Sequence, residues 1–141
     1  KFSLTDSSQV IEGIVYDFNR YELRPESLPK LDDLAEFLKK HANLAIEISN
    51  HQDCRGSDYY SSNLSHRRAQ AVAEYLISVG IERDRLVAKG YGKTRPLVYE
   101  GTVLSCNYIH GQSDKEKQEM LHQLNRRTAF RILSREYVPT D

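Results

Sequence analysis

An arginine on the apolar face of a helix is the sequence feature that most constrains the fold. The stretch 46–49 alternates apolar and polar side chains, as a strand with one buried face does. In the helix that follows, a wheel of about 100° per residue places Arg68 near the centre of the apolar stripe, whereas Arg67 points to one side. The other stripe positions are Leu64, Ala71, Val72, Tyr75, Leu76 and Val79. A buried guanidinium needs an anionic partner or an open pocket, so the fold must supply one against this helix.

Asp53 is the natural candidate for that partner, because it lies in the turn between the strand and the helix. An acid and a base that meet at the rim of a sheet form a receptor for a zwitterion, since the arginine fork suits a carboxylate and the aspartate suits an ammonium. The same spacing is equally consistent with a structural Asp53–Arg68 ion pair that only fixes the turn. The residues alone leave these two interpretations open.

The remaining hydrophobic periodicity indicates an α+β fold. Strands are predicted at 10–18, 44–48, 86–90 and 128–133, and helices at 28–40, 62–79 and 114–123. The stretch 91–112 has no clear period and is interrupted by glycine and proline. The order is therefore βαβαβ, an insertion and a final β, which predicts a mixed sheet of about four strands with the helices on one face.

Composition excludes several classes of protein. With 20 basic and 20 acidic residues among 141, the formal charge is zero, which argues against a nucleic-acid-binding module. No apolar run is long enough to span a membrane. The length fits a single domain, 1–141, with a core at about 10–134 and an insertion at about 98–123. Because the chain starts at Lys1, we expect it to be a piece excised from a longer protein.

Cys54 and Cys106 can form one disulfide in an oxidising compartment or can be two unrelated thiols, and the sequence leaves both interpretations open. A metal site would draw on the same two cysteines with His110 and His122, yet no tight ligand spacing is present. We therefore expect no metal and no other cofactor. Cys54 as a nucleophile would need a positioned base and a third group, so no enzymatic activity is expected.

Several short motifs follow one another along most of the chain, from about Gly13 to Leu133. The longest are Asn50-His51-Gln52-Asp53-Cys54-Arg55-Gly56, Tyr60-Ser61 and Leu64-Ser65-His66-Arg67-Arg68-Ala69, with shorter ones at 16–19, 86–92 and 125–127. In this order they resemble the OmpA-like peptidoglycan-binding domain, which is shared by outer-membrane proteins, peptidoglycan-associated lipoproteins and flagellar-motor stator proteins. In several details they look most like versions of this domain from the Bacteroidota.

The resemblance implies an OmpA-like two-layer sandwich and assigns binding residues. By resemblance, Asp53 and Arg68 bind the free end of diaminopimelate in the stem peptide of peptidoglycan. The further positions that the resemblance places along the same groove are Asp17, Phe18, Asn19, Leu64 and Arg126. Phe18 and Leu64 are also consistent with core positions, and Arg126 with a surface ion pair.

The function that the resemblance implies is non-covalent binding of peptidoglycan. Such binding would anchor an outer-membrane protein or complex to the cell wall on the periplasmic side, with membrane attachment through a region outside this chain. Three positions depart from the family pattern: Asn50 replaces a glycine, Gln52 a threonine and Ser61 an asparagine. These departures motivate the alternative that the groove has drifted and binds a protein partner instead of peptidoglycan.

Overall fold

The chain folds into a four-stranded sheet with two long helices against it, in a computed structural model that describes residues 2–139. The elements in chain order are β1 Gln9–Val10, α1 Leu28–Lys40, β2 Ala45–His51, α2 Asp58–Ser78, β3 Leu86–Gly92, β4 Val98–Tyr99, β5 Thr102–Val103, α3 Cys106–His110, α4 Lys115–Asn125 and β6 Arg127–Ser134. Single turns of 3-10 helix at Pro25–Ser27 and Arg83–Arg85 precede α1 and β3. The sheet order is β1-β6-β2-β3, with β2 and β3 parallel and the other neighbours antiparallel. The predicted α+β class and mixed four-stranded sheet are confirmed.

The main core lies between the sheet and the two long helices. β2 contributes Ile46 and Ile48 and β6 contributes Phe130, and all three side chains are fully buried. The helices add Leu31, Leu34, Ala35 and Leu38 from α1 and Ala69, Val72, Ala73 and Leu76 from α2. These positions recur with the strand period of two and the helix spacing of three or four. The sequence alone predicts those of β2 and α1 and, on α2, Val72 and Leu76, whereas the stripe predicted for α2 contained the half-buried Ala71 and neither Ala69 nor Ala73. Among the described residues, none of the helices has both the length and the apolarity that crossing a bilayer requires.

Gly90 and Ser65 set how closely the first half of α2 approaches the sheet. A Cβ at Gly90 would lie 2.1 Å from the backbone nitrogen of His66, so this contact requires glycine. Ser65 Oγ accepts a hydrogen bond from the backbone N–H of Gly92 at 2.9 Å. Arg68, one turn further along α2, is thereby held beside the carboxyl end of β2.

The predicted strand 10–18 is wrong for most of its length. Only Gln9–Val10 pairs with β6, and the chain then turns at Gly13, whose φ is 83°. The backbone of Val15 forms hydrogen bonds with a side chain instead of with a neighbouring strand. Its N–H donates to Ser27 Oγ at 2.8 Å, and that hydroxyl donates to the Val15 carbonyl at 3.1 Å. Because the Val15 backbone is satisfied in this way, the stretch 16–19 leaves the sheet.

The second helix begins at Asp58 rather than at the predicted residue 62. Ser57 caps it, with its Oγ accepting a hydrogen bond from the backbone N–H of Tyr60 at 3.1 Å. The predicted end of the helix is confirmed: Ser78 is its last residue, and Gly80 follows with a φ of 110°, as a C-terminal cap requires.

The insertion contains regular structure that the sequence does not predict. The hairpin β4–β5 and the short helix α3 lie where no period is visible. A second apolar cluster forms there from Leu104, Ile109 and Leu121, separate from the main core. Asn125, at the end of α4, is buried and joins α4 to the chain on both sides of the hairpin β4–β5. Its Oδ1 accepts a hydrogen bond from the Leu97 N–H at 2.8 Å, and its Nδ2 donates one to the Leu104 carbonyl at 2.9 Å.

Candidate ligand-binding groove

A groove of about 880 Å³ opens between the stretch 16–19, the loop after β2 and the first turns of α2. It is lined by all seven residues that the family resemblance singles out: Asp17, Phe18, Asn19, Asp53, Leu64, Arg68 and Arg126. These residues come from four separate stretches of the chain, and only the tertiary fold brings them to one place. Their role in ligand binding stays a prediction.

Arg68 is a buried cation at the inner side of this groove. It is 9% exposed, and its guanidinium lies over the Tyr16 ring, 4.4 Å from the centroid. Its Nε donates to the Arg20 carbonyl at 2.8 Å and its Nη2 to the Asp17 carbonyl at 3.1 Å. Burial lowers the pKa of Arg68. Within residues 2–139 no carboxylate lies at ion-pair distance from this guanidinium, and its Nη1 donates no hydrogen bond. A buried cation without a counter-ion is costly, and an anionic ligand would relieve that cost.

Asp53 is the buried anion of the groove, and two arginines hold it. Arg55 donates to the carboxylate through its backbone N–H at 2.9 Å, its Nε at 3.1 Å and its Nη2 at 2.9 Å. Arg126 Nη1 donates to the same carboxylate. Burial alone would raise the pKa of Asp53, but the hydrogen bonds from Arg55 and Arg126 outweigh it and lower the pKa to about 2. The group is therefore ionised at any physiological pH.

A direct Asp53–Arg68 ion pair, one of the two interpretations of the sequence, is not what the structure contains. Asp53 bonds to arginines from its own loop and from the segment before β6, while Arg68 bonds to backbone carbonyls. The physical reason is proximity along the loop: Arg55 follows Asp53 by two residues, where an aspartate readily accepts the backbone N–H of a turn. The two predicted residues share the groove without neutralising each other.

The chain after β1 forms one wall of the groove. Asn19 has a left-handed φ of 61°, and its Oδ1 accepts a hydrogen bond from the Tyr60 hydroxyl. Asp17 forms an ion pair with Arg24 at 2.8 Å. Phe18 is 88% exposed, so the core position considered for it is wrong. Its ring is presented to solvent at the edge of the groove.

Leu64 and Arg126 line the groove, and each also has an environment that a structural role explains. Leu64 is buried and lines the groove, and it lies outside the main core cluster. Arg126 Nη2 pairs with Glu119 Oε2 at 3.1 Å at the surface, while its Nη1 reaches Asp53 inside the groove. The structural and the ligand-binding interpretation therefore both remain for each of these two residues.

The sequence analysis assigned no binding role to Tyr16, Arg55 or Tyr60, although all three lie within the family motifs and line the groove. Tyr16 is the platform for the Arg68 guanidinium, and burial raises the pKa of Tyr16 to about 12 against the opposing charge of that arginine. For Arg55, the available signal was its spacing of two residues from Asp53 in a turn. Tyr16 lies in the motif at 16–19, but its contact with Arg68 joins residues 52 apart, which no local spacing indicates.

The positions that depart from the family pattern are accommodated locally. Asn50 lies within β2, and its Nδ2 donates to Thr128 Oγ1 at 3.0 Å, while its Oδ1 accepts from Gln52 Nε2 at 2.9 Å. Asn50 is not among the residues with positive φ, so the turn does not need the backbone freedom of glycine here. Ser61 lines the groove at 1% exposure, and its Oγ has no hydrogen-bond partner in the part of the chain that the structure describes.

A disulfide joins the groove to the insertion. Cys54, next to Asp53, is bonded to Cys106 at the start of α3, with an S–S distance of 2.10 Å and a Cα–Cα distance of 5.7 Å. His110 and His122 lie around it: their ring nitrogens and the Cys54 sulfur are all within 4.8 Å of one another. The four residues that the sequence considered for a metal therefore do converge, although both sulfurs are occupied by their mutual bond.

Comparison with known proteins identifies the family. Residues 15–106 match the OmpA family, so the chain belongs to it. Among curated proteins it is 34% identical over 86 residues to the peptidoglycan-associated lipoprotein of Buchnera aphidicola subsp. Baizongia pistaciae, covering 61% of this chain and 50% of that protein. It is 38% identical over 89 residues to outer membrane protein A of Escherichia fergusonii, covering 60% of this chain and 35% of that protein.

The solved structures agree on the fold. The chain superimposes on the peptidoglycan-associated lipoprotein from Burkholderia pseudomallei with a TM-score of 0.63 and 25% identity, over 84% of this chain and 87% of that one. Among the curated relatives that it matches, the chain spans between 13% and 50% of their length. The particular likeness to Bacteroidota versions is not among these findings and stays a prediction.

Proposed function

We propose that this domain binds the stem peptide of peptidoglycan non-covalently and thereby anchors an outer-membrane protein or complex to the cell wall. One observation carries the proposal. Arg68 is a buried guanidinium without a carboxylate partner among residues 2–139, and it lines the same groove as the buried carboxylate of Asp53. Membership of the OmpA family and the likeness to peptidoglycan-associated lipoproteins support it.

A ligand that ends in both a carboxylate and an ammonium complements this groove. The free end of diaminopimelate is such a group. Its carboxylate would bind Arg68, where Nη1 is available as a donor, and its ammonium would bind Asp53. Because both protein groups are largely removed from water, each contact is stronger than it would be on an open surface.

Glu119 offers a way for Asp53 to accept an ammonium. Arg55 Nη1 bonds Glu119 Oε1 at 3.1 Å, and Arg126 Nη2 bonds Glu119 Oε2 at 3.1 Å, while both arginines also hold Asp53. When a ligand ammonium approaches Asp53, one of the two arginines can release the Asp53 carboxylate and still keep Glu119 as its counter-ion.

The proposed role is binding without catalysis. The groove residues form charge-assisted contacts to a ligand, and no nucleophile with a positioned base is among them. The proposed location is the periplasmic side of the outer membrane, with attachment through a region outside this chain. A Bacteroidota-type source, as the motifs suggest, would supply diaminopimelate-containing peptidoglycan as the target.

Adjacent arginines provide a matched test. Arg68→Ala should weaken binding to purified sacculi by roughly thirtyfold or more, because a charge-assisted contact in a buried site contributes about 2–3 kcal/mol. Arg67→Ala is the control, since Arg67 is exposed, bonds Asn63 at 2.9 Å and lies outside the groove. Affinity is measured by co-sedimentation with sacculi, and circular dichroism confirms that both variants are folded.

Competition identifies the recognised group. Free diaminopimelate should displace the wild-type protein from sacculi, whereas cadaverine, the diamine that lacks both carboxylates of diaminopimelate, should displace it far less because it offers no carboxylate to Arg68. Equal loss of binding in Arg68→Ala and Arg67→Ala would contradict the assignment of the groove.

The alternative is a groove that binds a protein partner, and one observation favours it. Phe18 presents an almost fully exposed ring at the edge of the groove, as protein interfaces often require. Under this alternative the folded wild-type domain would fail to sediment with sacculi at all, and diaminopimelate would not bind it.

A further inference from the structure

Two cysteines and two histidines meet at the junction between the groove loop and the insertion. Cys54 comes from the loop after β2, Cys106 and His110 from α3, and His122 from α4. Cys106 and His110 are four residues apart on α3 and therefore share one face of that helix. The rings of His110 and His122 lie 5.5 Å apart between centroids.

The distances within this cluster are close to those around a tetrahedral metal ion. Ligand atoms on a tetrahedral zinc lie about 3.3–3.8 Å apart, given Zn–S of about 2.3 Å and Zn–N of about 2.1 Å. The Cys106 sulfur is 3.6 Å from His110 Nδ1. One ring nitrogen each of His110 and His122 and the Cys54 sulfur lie within 4.8 Å of one another. The two sulfurs are too close together for a shared metal because they are covalently bonded. The Cys106 sulfur is not one of that group of three, so it must move towards the other ligand atoms on reduction.

His122 adds a second observation at this cluster. The residue is 3% exposed, and its Nδ1 has no hydrogen-bond partner among residues 2–139. A buried imidazole nitrogen left without a partner is unusual, because its desolvation is not compensated. The nitrogen of a neutral imidazole that carries a free lone pair readily coordinates a metal ion.

We propose that reduction of the Cys54–Cys106 disulfide converts this cluster into a Zn²⁺ site of the Cys2His2 type. In the first step a dithiol reductant supplies two electrons and two protons, so that Cys54 and Cys106 become thiols and the reductant becomes a disulfide. In the second step Zn²⁺ displaces both thiol protons. Two thiolates and two neutral imidazoles then complete a closed tetrahedral site with no net charge, as structural zinc sites have.

The geometry requires only a small rearrangement. The sulfurs must separate from their bonded distance of 2.10 Å to about 3.8 Å around a zinc ion. Rotation of the cysteine side chains provides this separation while the Cα atoms stay near their present distance of 5.7 Å. The reduced protein would then offer two thiolates and two imidazoles as a complete ligand set.

The insertion keeps the ligands in place when the disulfide is opened. Ile109 and Leu121, which neighbour His110 and His122 in sequence, belong to the second apolar cluster. Asn125 adds its two buried hydrogen bonds to the same unit. Zinc would thus replace the covalent link between groove and insertion with a coordinate one, and Asp53 beside Cys54 would keep its position.

The test is a metal titration of the purified protein in its two redox states. The protein is reduced with a phosphine, which does not supply a competing thiol, and is titrated with Co²⁺ as a spectroscopic probe and then with Zn²⁺ against a chromophoric chelator. We expect one equivalent of Co²⁺ to produce thiolate-to-cobalt charge-transfer bands and the visible bands of tetrahedral cobalt. The oxidised protein should bind Zn²⁺ at least about a hundredfold more weakly.

Two histidine variants locate the site. His110→Ala, at an exposed position, should weaken Zn²⁺ binding to the reduced protein at least about a hundredfold. His66→Ala is the control, because His66 is an exposed histidine on α2 away from the cluster. Absence of thiolate–cobalt bands in the reduced wild type, equal affinity in the two redox states, or equal affinity in the two variants would overturn the proposal. No peptidoglycan enters the assay, so the result does not depend on the function proposed above.

Discussion

The main core and the insertion stabilise the same chain in different ways. The main core joins two strands and two helices through large aliphatic side chains such as Ile48 and Leu34, which are fully buried. The insertion has only a small apolar cluster around Ile109, and it adds a disulfide and a buried asparagine to hold it. Burial of apolar area scales with the size of the unit, so a small unit depends on cross-links and specific hydrogen bonds.

The two regions meet at two consecutive residues. Asp53 belongs to the groove through its contacts with Arg55 and Arg126, and Cys54 belongs to the insertion through its bond to Cys106. Arg126 and Glu119 extend the contact, because they join α4 and the segment after it to the groove. A loop that carries a binding residue is therefore anchored on both sides, which favours a preorganised site.

The largest difference should come from matched truncations in the two cores. Ile48→Ala should lower the free energy of global unfolding by about 3–4 kcal/mol, because it leaves a cavity under two helices. Ile109→Ala removes the same side chain from the insertion, and we expect a smaller loss of about 1–2 kcal/mol, confined largely to local opening. Urea unfolding measures the global effect, and hydrogen exchange measures the local one.

Equal global losses from the two isoleucine variants would contradict this comparison. In that case the main core and the insertion would unfold as one cooperative unit, and the disulfide would not be needed to couple the two regions.

Removal of the disulfide should have the next largest effect. For a loop closed over a sequence separation of 52, the chain-entropy relation suggests about 4 kcal/mol, and native strain or residual structure typically reduces it to about 3 kcal/mol. We expect Cys54→Ser with Cys106→Ser to retain the sheet by circular dichroism. Hydrogen exchange should quicken most in the segment 99–112, where only the small cluster remains. If the amides of β2 and β6 instead lost their protection from exchange first, this would contradict the comparison, because the stability of the main core would then depend on the insertion.

The smallest effect should come from the charge that links the two regions. The pKa of Asp53 is lowered from 3.8 to about 2, so its ion pairs stabilise the folded state fully above about pH 4 and lose that effect as the pH falls towards 2. With allowance for solvent screening of the arginines, we expect about 1–2 kcal/mol. Unfolding curves of the wild type and Asp53→Asn should therefore differ at pH 7 and converge near pH 2. A difference that persists at pH 2 would show that the asparagine harms the fold for a reason other than charge.

The parts of the fold that the sequence predicts are those governed by local periodicity. α1, β2, β3 and β6 lie close to the predicted ranges, because each buries one face against the main core and so carries a regular apolar pattern. The strand predicted at 10–18 fails because the Ser27 hydroxyl satisfies the Val15 backbone, a contact across twelve residues that no local pattern reports. The hairpin β4–β5 and α3 were missed because they are too short to show a period.

The candidate groove likewise has features that the sequence predicts and features that it does not. The wheel correctly predicts that Arg68 is buried and Arg67 exposed, since the helical repeat alone decides which side chain points inward. The family motifs name the other groove residues. Which anion each arginine contacts could not be predicted, because the partners of Asp53 come from a turn and from a segment 73 residues further along the chain.

Spacing along the chain is thus sufficient for the α+β class, for much of the main core and for the inward direction of Arg68, and the order of the short motifs is sufficient for the family. The three-dimensional fold was needed to show that Asp53 pairs with Arg55 and Arg126 and that Arg68 has no carboxylate partner within residues 2–139. It also decided that Cys54, Cys106, His110 and His122 converge at one place. The physical reason is that charge pairing, disulfide bonding and metal coordination act over a few ångströms in space. Sequence separation carries little information about such distances once the chain is folded.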